Sequence, residues 1–355
     1  MDLNTVWFLL VGVLISGYAV LDGFDLGVGV LHLFAKSDEE RDVHVAAIGP
    51  VWDGNEVWLL TGGGALFAAF PVVYATVFSG FYLALMLLLV ALILRAVSME
   101  FRHGLDSPRW RRVFDWSFGV GSLLPSILFG VAVGNVLRGV PLTAEHEWAG
   151  SFLGLLNPYS VLVGLVSLSM FVMHGALYLR MKSEGALHER MGKVAVGAWA
   201  AFLAVYGIAT VATFLVSPFL FEKVAAKPVF WALIALLAAG LFTIPRATRA
   251  GRSGTAFLAS SATIVASIFL AATSLYPRLV PSLGGLWNSL DIYNSASSPK
   301  TRTVMLVIAL LGMPLVLVYT AVVYRIFKGK VRPGQAYGAE PTAAEQAGIR
   351  AVQTR

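Results

Sequence analysis

Two short stretches near the start of the chain carry acids where acids are expensive. GYAVLDGFDLGVG holds Asp22 and Asp25, and GPVWDGNEVWLLTGGG holds Asp53 and Glu56. Each pair is spaced i, i+3, about one helical turn apart on a shared face. An ionisable side chain inside a membrane helix costs roughly 2.5 to 3.5 kcal/mol on insertion scales, so an acid kept there is a functional candidate by default. Carboxyl groups gathered in poor solvent can share a proton or hand it on. Gly23 and Gly27 stand at the small-xxx-small spacing that lets a second helix approach and seal the acids from lipid. Trp52, Asn55 and Trp58 flank the second pair, and Gly62, Gly63 and Gly64 leave room for a neighbouring helix or a bulky ligand.

Plainer roles compete for the same residues. Asp53 and Glu56 also suit the first turn of a helix opened near Pro50, where an acid complements the helix dipole. Trp52 and Trp58 suit an interfacial belt. Asp115 opens a later apolar run and reads as a cap, and Glu100, among loop arginines, as a solvated ion pair. His44, His103, His146 and His188 fall in connections, while His32 and His174 lie in or near apolar runs without a second histidine at metal-ligand spacing. No metal site is expected. With no cysteine, thiolate ligands, disulfides and thiol catalysis are excluded, and no phosphate loop, Ser–His–Asp set or HExxH pattern suggests hydrolysis.

The elements that must hold these acids are membrane helices. The 355 residues are 57% hydrophobic and 13% charged, against about a quarter charged in soluble domains, with mean hydropathy +0.76. The net charge of +6 does not imply nucleic acid, because the basic residues sit between apolar runs. Charges and Pro/Gly/Asn clusters divide the chain into about nine spans. These are residues 5–34, 51–70, 72–97, 114–137, 158–179, 194–216, 229–244, 256–276 and 304–327. The first reads as a retained helix, since MDLNTVW lacks a basic region and a cleavage site.

Alternate connections differ sharply in basic residues. Only Arg138, Lys223, Lys227, Arg278, Lys300 and Arg302 of the 26 Lys and Arg fall on one side. The rest, including Arg95 and Arg102, are assigned to connections on the other side, which leaves none near a bilayer midplane. Positive-inside bias then predicts an N-terminus outside and a cytoplasmic C-terminus. The fold expected is an all-α polytopic membrane bundle in one domain, residues 1–330, with a polar, mobile cytoplasmic tail over 331–355.

GFDLGVG (23–29), GPVWDGNEVWL (49–59), GGGALFAAFPVVYA (62–75) and FSGFYLALMLLLVALILRAVSMEFR (78–102) together resemble subunit II of the cytochrome bd quinol oxidases. RWRRVFDWSFGVGSLLPSILFGVAVGN (109–135) and LLNPYSVLVGLVSLSMFVMHGALYL (155–179) extend the likeness through the middle. The region around Phe219 to Lys227 is shorter than in longer family members. The resemblance implies a non-heme subunit of a bacterial inner-membrane terminal oxidase that oxidises quinol and reduces dioxygen to water with cytoplasmic protons. It implies a subunit I partner holding two b hemes and one d heme, and accommodates small single-helix accessory subunits. It makes Asp53 the proton entry and Asp25 the next relay group, with Asp22 and Glu56 as further members. Trp52, Asn55 and Trp58 would support the path or touch a bound quinone or lipid. The residues alone leave two other readings open, a proton-coupled secondary transporter and a purely structural membrane subunit.

Overall fold

Lipid offers the backbone no hydrogen-bond partners, so a chain this apolar must satisfy its peptide groups within helices. The computed structural model describes residues 2–331 and residue 337, and these form an almost wholly helical bundle. The first half comprises α1 (Leu3–His32), α2 (Asp38–Ile48), α3 (Trp52–Ala69), α4 (Pro71–Gly80), α5 (Tyr82–Phe101) and α6 (Pro108–Arg138). The second half comprises α7 (Pro158–Lys182), α8 (Gly185–Val216), α9 (Pro228–Arg249), α10 (Ser253–Leu275) and α11 (Pro299–Ile326). A small antiparallel pair, β1 (Arg278–Val280) and β2 (Leu290–Asp291), lies in the connection between α10 and α11. The expected tail over 331–355 falls, apart from Val331 and Tyr337, outside the described residues.

Among the described residues, eight helices are long and apolar enough to cross a membrane: α1 and α5 through α11, leaving out α2, α3 and α4. The segment expected at 51–70 forms α3, but Asp53, Asn55 and Glu56 keep it out of that set. The segment expected at 72–97 is interrupted at Phe81, which closes α4 and opens α5. Helix α5 then runs through Arg95 to Phe101, beyond the expected end at 97. The connection expected before α3 contains the polar helix α2, whose Ser37 accepts a hydrogen bond from the Glu40 amide at 3.2 Å.

Helix α1 lies at the centre, with its second half buried from Asp22 to His32. Its glycines act as expected against α7. A methyl group at Gly27 would overlap the backbone carbonyl of Phe171, and Gly175 faces the same crossing. The close approach therefore depends on both glycines. Gly27→Ala is expected to cost about 1 to 3 kcal/mol through overpacking, read as a lower melting temperature of the purified complex. An unchanged melting temperature would show that the crossing is not tight.

A second charged cluster ties the ends of α1, α2, α5 and α6. Asp115 Oδ1 accepts from Arg102 Nε at 2.6 Å and lies 2.8 Å from His32 Nε2, while Arg102 also pairs with Asp42. Asp115 is thus not the helix cap expected, because α6 begins seven residues earlier at Pro108 behind Ser107. Arg102 lies in the connection expected, just past the end of α5, yet is only 2% exposed. Both positions reflect mutual neutralisation, which lets charge continue into the bundle. Outside the spans, burial and then the charges of His32 and Arg41 hold the His44 ring well below its usual pKa. Partial burial would raise the Asp42 carboxyl, but the His103 contact and the Arg102 charge outweigh it and lower its pKa. Glu100 is exposed and accepts a hydrogen bond from Tyr337 Oη at 3.2 Å.

Candidate functional site

Asp22 and Asp25 project from the buried half of α1 and are both 0% exposed. Their environments differ. Asp22 meets Arg95 of α5 in a two-pronged ion pair, with Nη1 to Oδ2 at 2.9 Å and Nη2 to Oδ1 at 2.5 Å. The same Nη2 lies 3.4 Å from Glu56 Oε2 on α3. Arg95 is itself fully buried, which corrects its assignment to a connection and the expectation that no basic group lies within the bundle. A guanidinium fork matches a carboxylate geometrically and keeps its charge in poor solvent, so the pair neutralises itself where either member alone would be costly.

Asp25 takes a different partner. Asn55, 2% exposed on α3, donates from Nδ2 to Asp25 Oδ2 at 2.8 Å and to the Leu21 carbonyl at 3.2 Å. Tyr324 of α11 donates its hydroxyl to Asn55 Oδ1 at 2.9 Å. Asp25 Oδ1 is buried and has no hydrogen-bond partner among the described residues. Among the same residues no cation is in salt-bridge contact with Asp25; the nearby guanidinium, Arg95, is engaged by Asp22 and Glu56. The site thus holds a locked ion pair beside a carboxyl with one free oxygen.

The other expected residues divide by position. Asp53 is exposed in the first turn of α3, behind the uncapped Val51, so it occupies both the dipole-complementing position and the outer end of the acid series. Glu56 is partly exposed and faces Arg95 rather than capping a helix. Trp58 is buried against α1, its ring lying over Gly17, which removes it from an interfacial belt. Trp52 is half-buried and packs on the apolar cluster around Tyr178 and Val51. A cavity of about 260 Å³ opens beside the start of α3, lined in part by Pro50, Val51, Tyr178 and Lys182. Gly62 touches Leu14, but Gly63 and Gly64 face open space, with Leu60 and Phe67 exposed on the same helix.

Arg95 and Tyr324 join the site only through the tertiary structure. The sequence signal for Arg95 is indirect, since a buried Asp22 calls for a cation and Arg95 interrupts an otherwise continuous apolar run. Nothing in the local sequence distinguishes Tyr324 from its neighbours on the last span.

Both ring nitrogens of His174 are already engaged. His174 Nε2 lies 3.0 Å from the Val20 carbonyl and must donate to it, leaving Nδ1 to accept from Ser260 at 2.6 Å. The ring also stacks on Phe257 with centroids 4.5 Å apart, so neither face nor edge is open to a macrocycle. His32 is fully buried with Nε2 on Asp115. Among the described residues no group of three His, Asp or Glu side chains is placed to hold a metal ion.

The chain matches a family model described as cytochrome bd terminal oxidase subunit II over residues 3–327. It is 38% identical to the cytochrome bd-I ubiquinol oxidase subunit 2 of Escherichia coli (strain K12), covering 93% of this chain and 95% of that protein. It is 34% identical to the cytochrome bd ubiquinol oxidase subunit 2 of Bacillus subtilis (strain 168), covering 93% and 97%. The bd oxidase of Geobacillus thermodenitrificans shares its fold, with TM-score 0.78 at 16% identity over 92% of this chain and 99% of that one.

Proposed function

From the premise that this chain belongs to the cytochrome bd terminal oxidase subunit II family and is a subunit of a quinol oxidase complex, we propose that it supplies protons for dioxygen reduction along an acid path through α3 and α1. Family membership also makes it a multi-pass membrane protein that assembles with a subunit I, and it sets aside the transporter reading. The finer reading has α3 as a ninth span, the N-terminus outside and the C-terminus in the cytoplasm, in a bacterial inner membrane. The hemes belong to subunit I, in keeping with the occupied nitrogens of His174. Their chemistry is to deliver quinol electrons to dioxygen. Small accessory helices fit the same assembly. Gly63 and Gly64, open on α3 with Trp52 at its start, suit a quinone or lipid held in a structural role.

One observation carries the path: a fully buried carboxyl, Asp25, whose Oδ2 is held by Asn55 and whose Oδ1 is free. A group so placed can accept a proton at Oδ1 and release it without breaking the bond that positions it. Asp53, exposed at the start of α3, is the entry that meets water. Asp22 and Glu56 keep the path electrostatically defined, because Arg95 binds both and holds a fixed positive charge beside the relay. Trp58 packs α3 against α1 and so sets the spacing of the two acid pairs.

Asp53→Asn in the purified complex is expected to slow quinol-driven oxygen consumption several-fold, with the heme spectrum unchanged. Since the residue is exposed, water can partly replace it, and the loss should be greatest at high pH, where bulk protons are scarce. Turnover equal to the parent at every pH would remove Asp53 from the path.

A further inference from the structure

We infer that Tyr324, near the end of the last helix, is a positioning residue of the proton path, pinning Asn55 so that proton exchange on Asp25 is confined to Oδ1. The inference rests on the relay reading of Asp25 given above and adds a residue from the last helix.

The geometry runs in one direction. Tyr324 Oη donates to Asn55 Oδ1 at 2.9 Å, and Asn55 Nδ2 donates to Asp25 Oδ2 at 2.8 Å and to Leu21 O at 3.2 Å. An amide offers an acceptor at one end and donors at the other. Here Tyr324 holds the acceptor end while Asp25 and Leu21 hold the donor end, so the side chain is fixed from both sides. Turning the amide over would set its oxygen against the Asp25 carboxyl and the Leu21 carbonyl. Pulling it away would leave Oδ1 buried and unpaired, which is costly in poor solvent. Asp25 Oδ2 therefore stays occupied, and its Oδ1, buried and without a partner among the described residues, is the atom left to exchange a proton.

The placement of α11 makes this contact specific. Arg302 is the one buried residue among those described on α11, and most of its apolar side chains point outward. Tyr324 turns inward against the cluster that includes Tyr178 and Val51, two residues before the helix ends. Without its hydroxyl, Asn55 Oδ1 would have no partner from α11, and the Asn55–Asp25 bond would become one of several arrangements.

The test uses the assembled oxidase with Tyr324→Phe, which keeps the ring and removes the hydroxyl, and Tyr324→Leu, which removes both. Asp25→Asn serves as the control for the relay. Oxygen consumption by Tyr324→Phe is expected to fall about five- to tenfold, the size of one lost buried hydrogen bond. Its heme spectrum should match the parent. A structural role for the ring would not alter the carboxyl itself, so infrared difference spectra supply the second readout. The Asp25 carboxyl band, identified by its loss in Asp25→Asn, should shift in Tyr324→Phe. If Asp25→Asn is slow but Tyr324→Phe matches the parent in rate and band, the inference is overturned and the relay reading stands. Impairment of Tyr324→Leu alone overturns it equally, since the ring would then merely pack. If Asp25→Asn turns over like the parent, the relay reading falls and this inference falls with it.

Discussion

Arg95→Leu is expected to destabilise the bundle by about 3 to 5 kcal/mol, because it strands Asp22 as an uncompensated charge in a dry interior. Asp22 and Arg95 are both 0% exposed, and among the described residues their two-pronged contact leaves Asp22 no other cation. Glu56 would suffer less, since its side chain is 22% exposed and can turn toward solvent. The sign follows from burial: the pair formed inside the bundle offsets the loss of hydration of both ions, and deleting one member removes the offset and keeps the penalty. Assembled complex, counted by its heme absorbance, should drop sharply, with a lower melting temperature in what remains. Replacing both members by apolar residues, Asp22→Leu with Arg95→Met, should recover much of the loss, because it removes the charge as well as its partner. Full stability in Arg95→Leu alone would mean that water reaches Asp22 and the interior is not dry.

Asp25→Asn is expected to reduce oxygen consumption by about a hundredfold, the lower range for losing a positioned proton-transfer group. The amide keeps the size and the hydrogen bond to Asn55, so the helices should pack as before, but it carries no exchangeable acid proton at Oδ1. This distinguishes a relay from a structural acid. Asp25 differs from Asp22 in having no cation against it among the described residues, so stability should change little while rate changes greatly. Asp25→Glu should restore part of the rate, since a carboxyl remains within reach of Asn55. Turnover within twofold of the parent in Asp25→Asn, with the complex intact, would sink the proposed path.

Most of the helical frame is readable from the chain itself, because a lipid-facing protein has few ways to bury its peptide groups and long apolar runs mark them. Asp22, Asp25, Asp53 and Glu56 stand out for the same reason, as charges within apolar runs, although Asp53 proves to be exposed. The Gly23 and Gly27 spacing announces a close helix crossing, and Phe171 and Gly175 provide it. Hydropathy misleads at Arg95, which looks like a residue of the following connection, whereas α5 continues past it and it is buried in an ion pair.

The limit lies in sequence distance. Asp22 and Arg95 are 73 positions apart, and Asn55 and Tyr324 are 269 apart. Local periodicity constrains which face a residue occupies on its own helix, not which helix comes to lie against it. The amino-acid order alone determined a membrane bundle with acids buried near its start. Only the packing of α3, α5 and α11 around α1 decided that Asp22 is held by a guanidinium while Asp25 keeps an oxygen free, because partner choice depends on where separate helices settle in space.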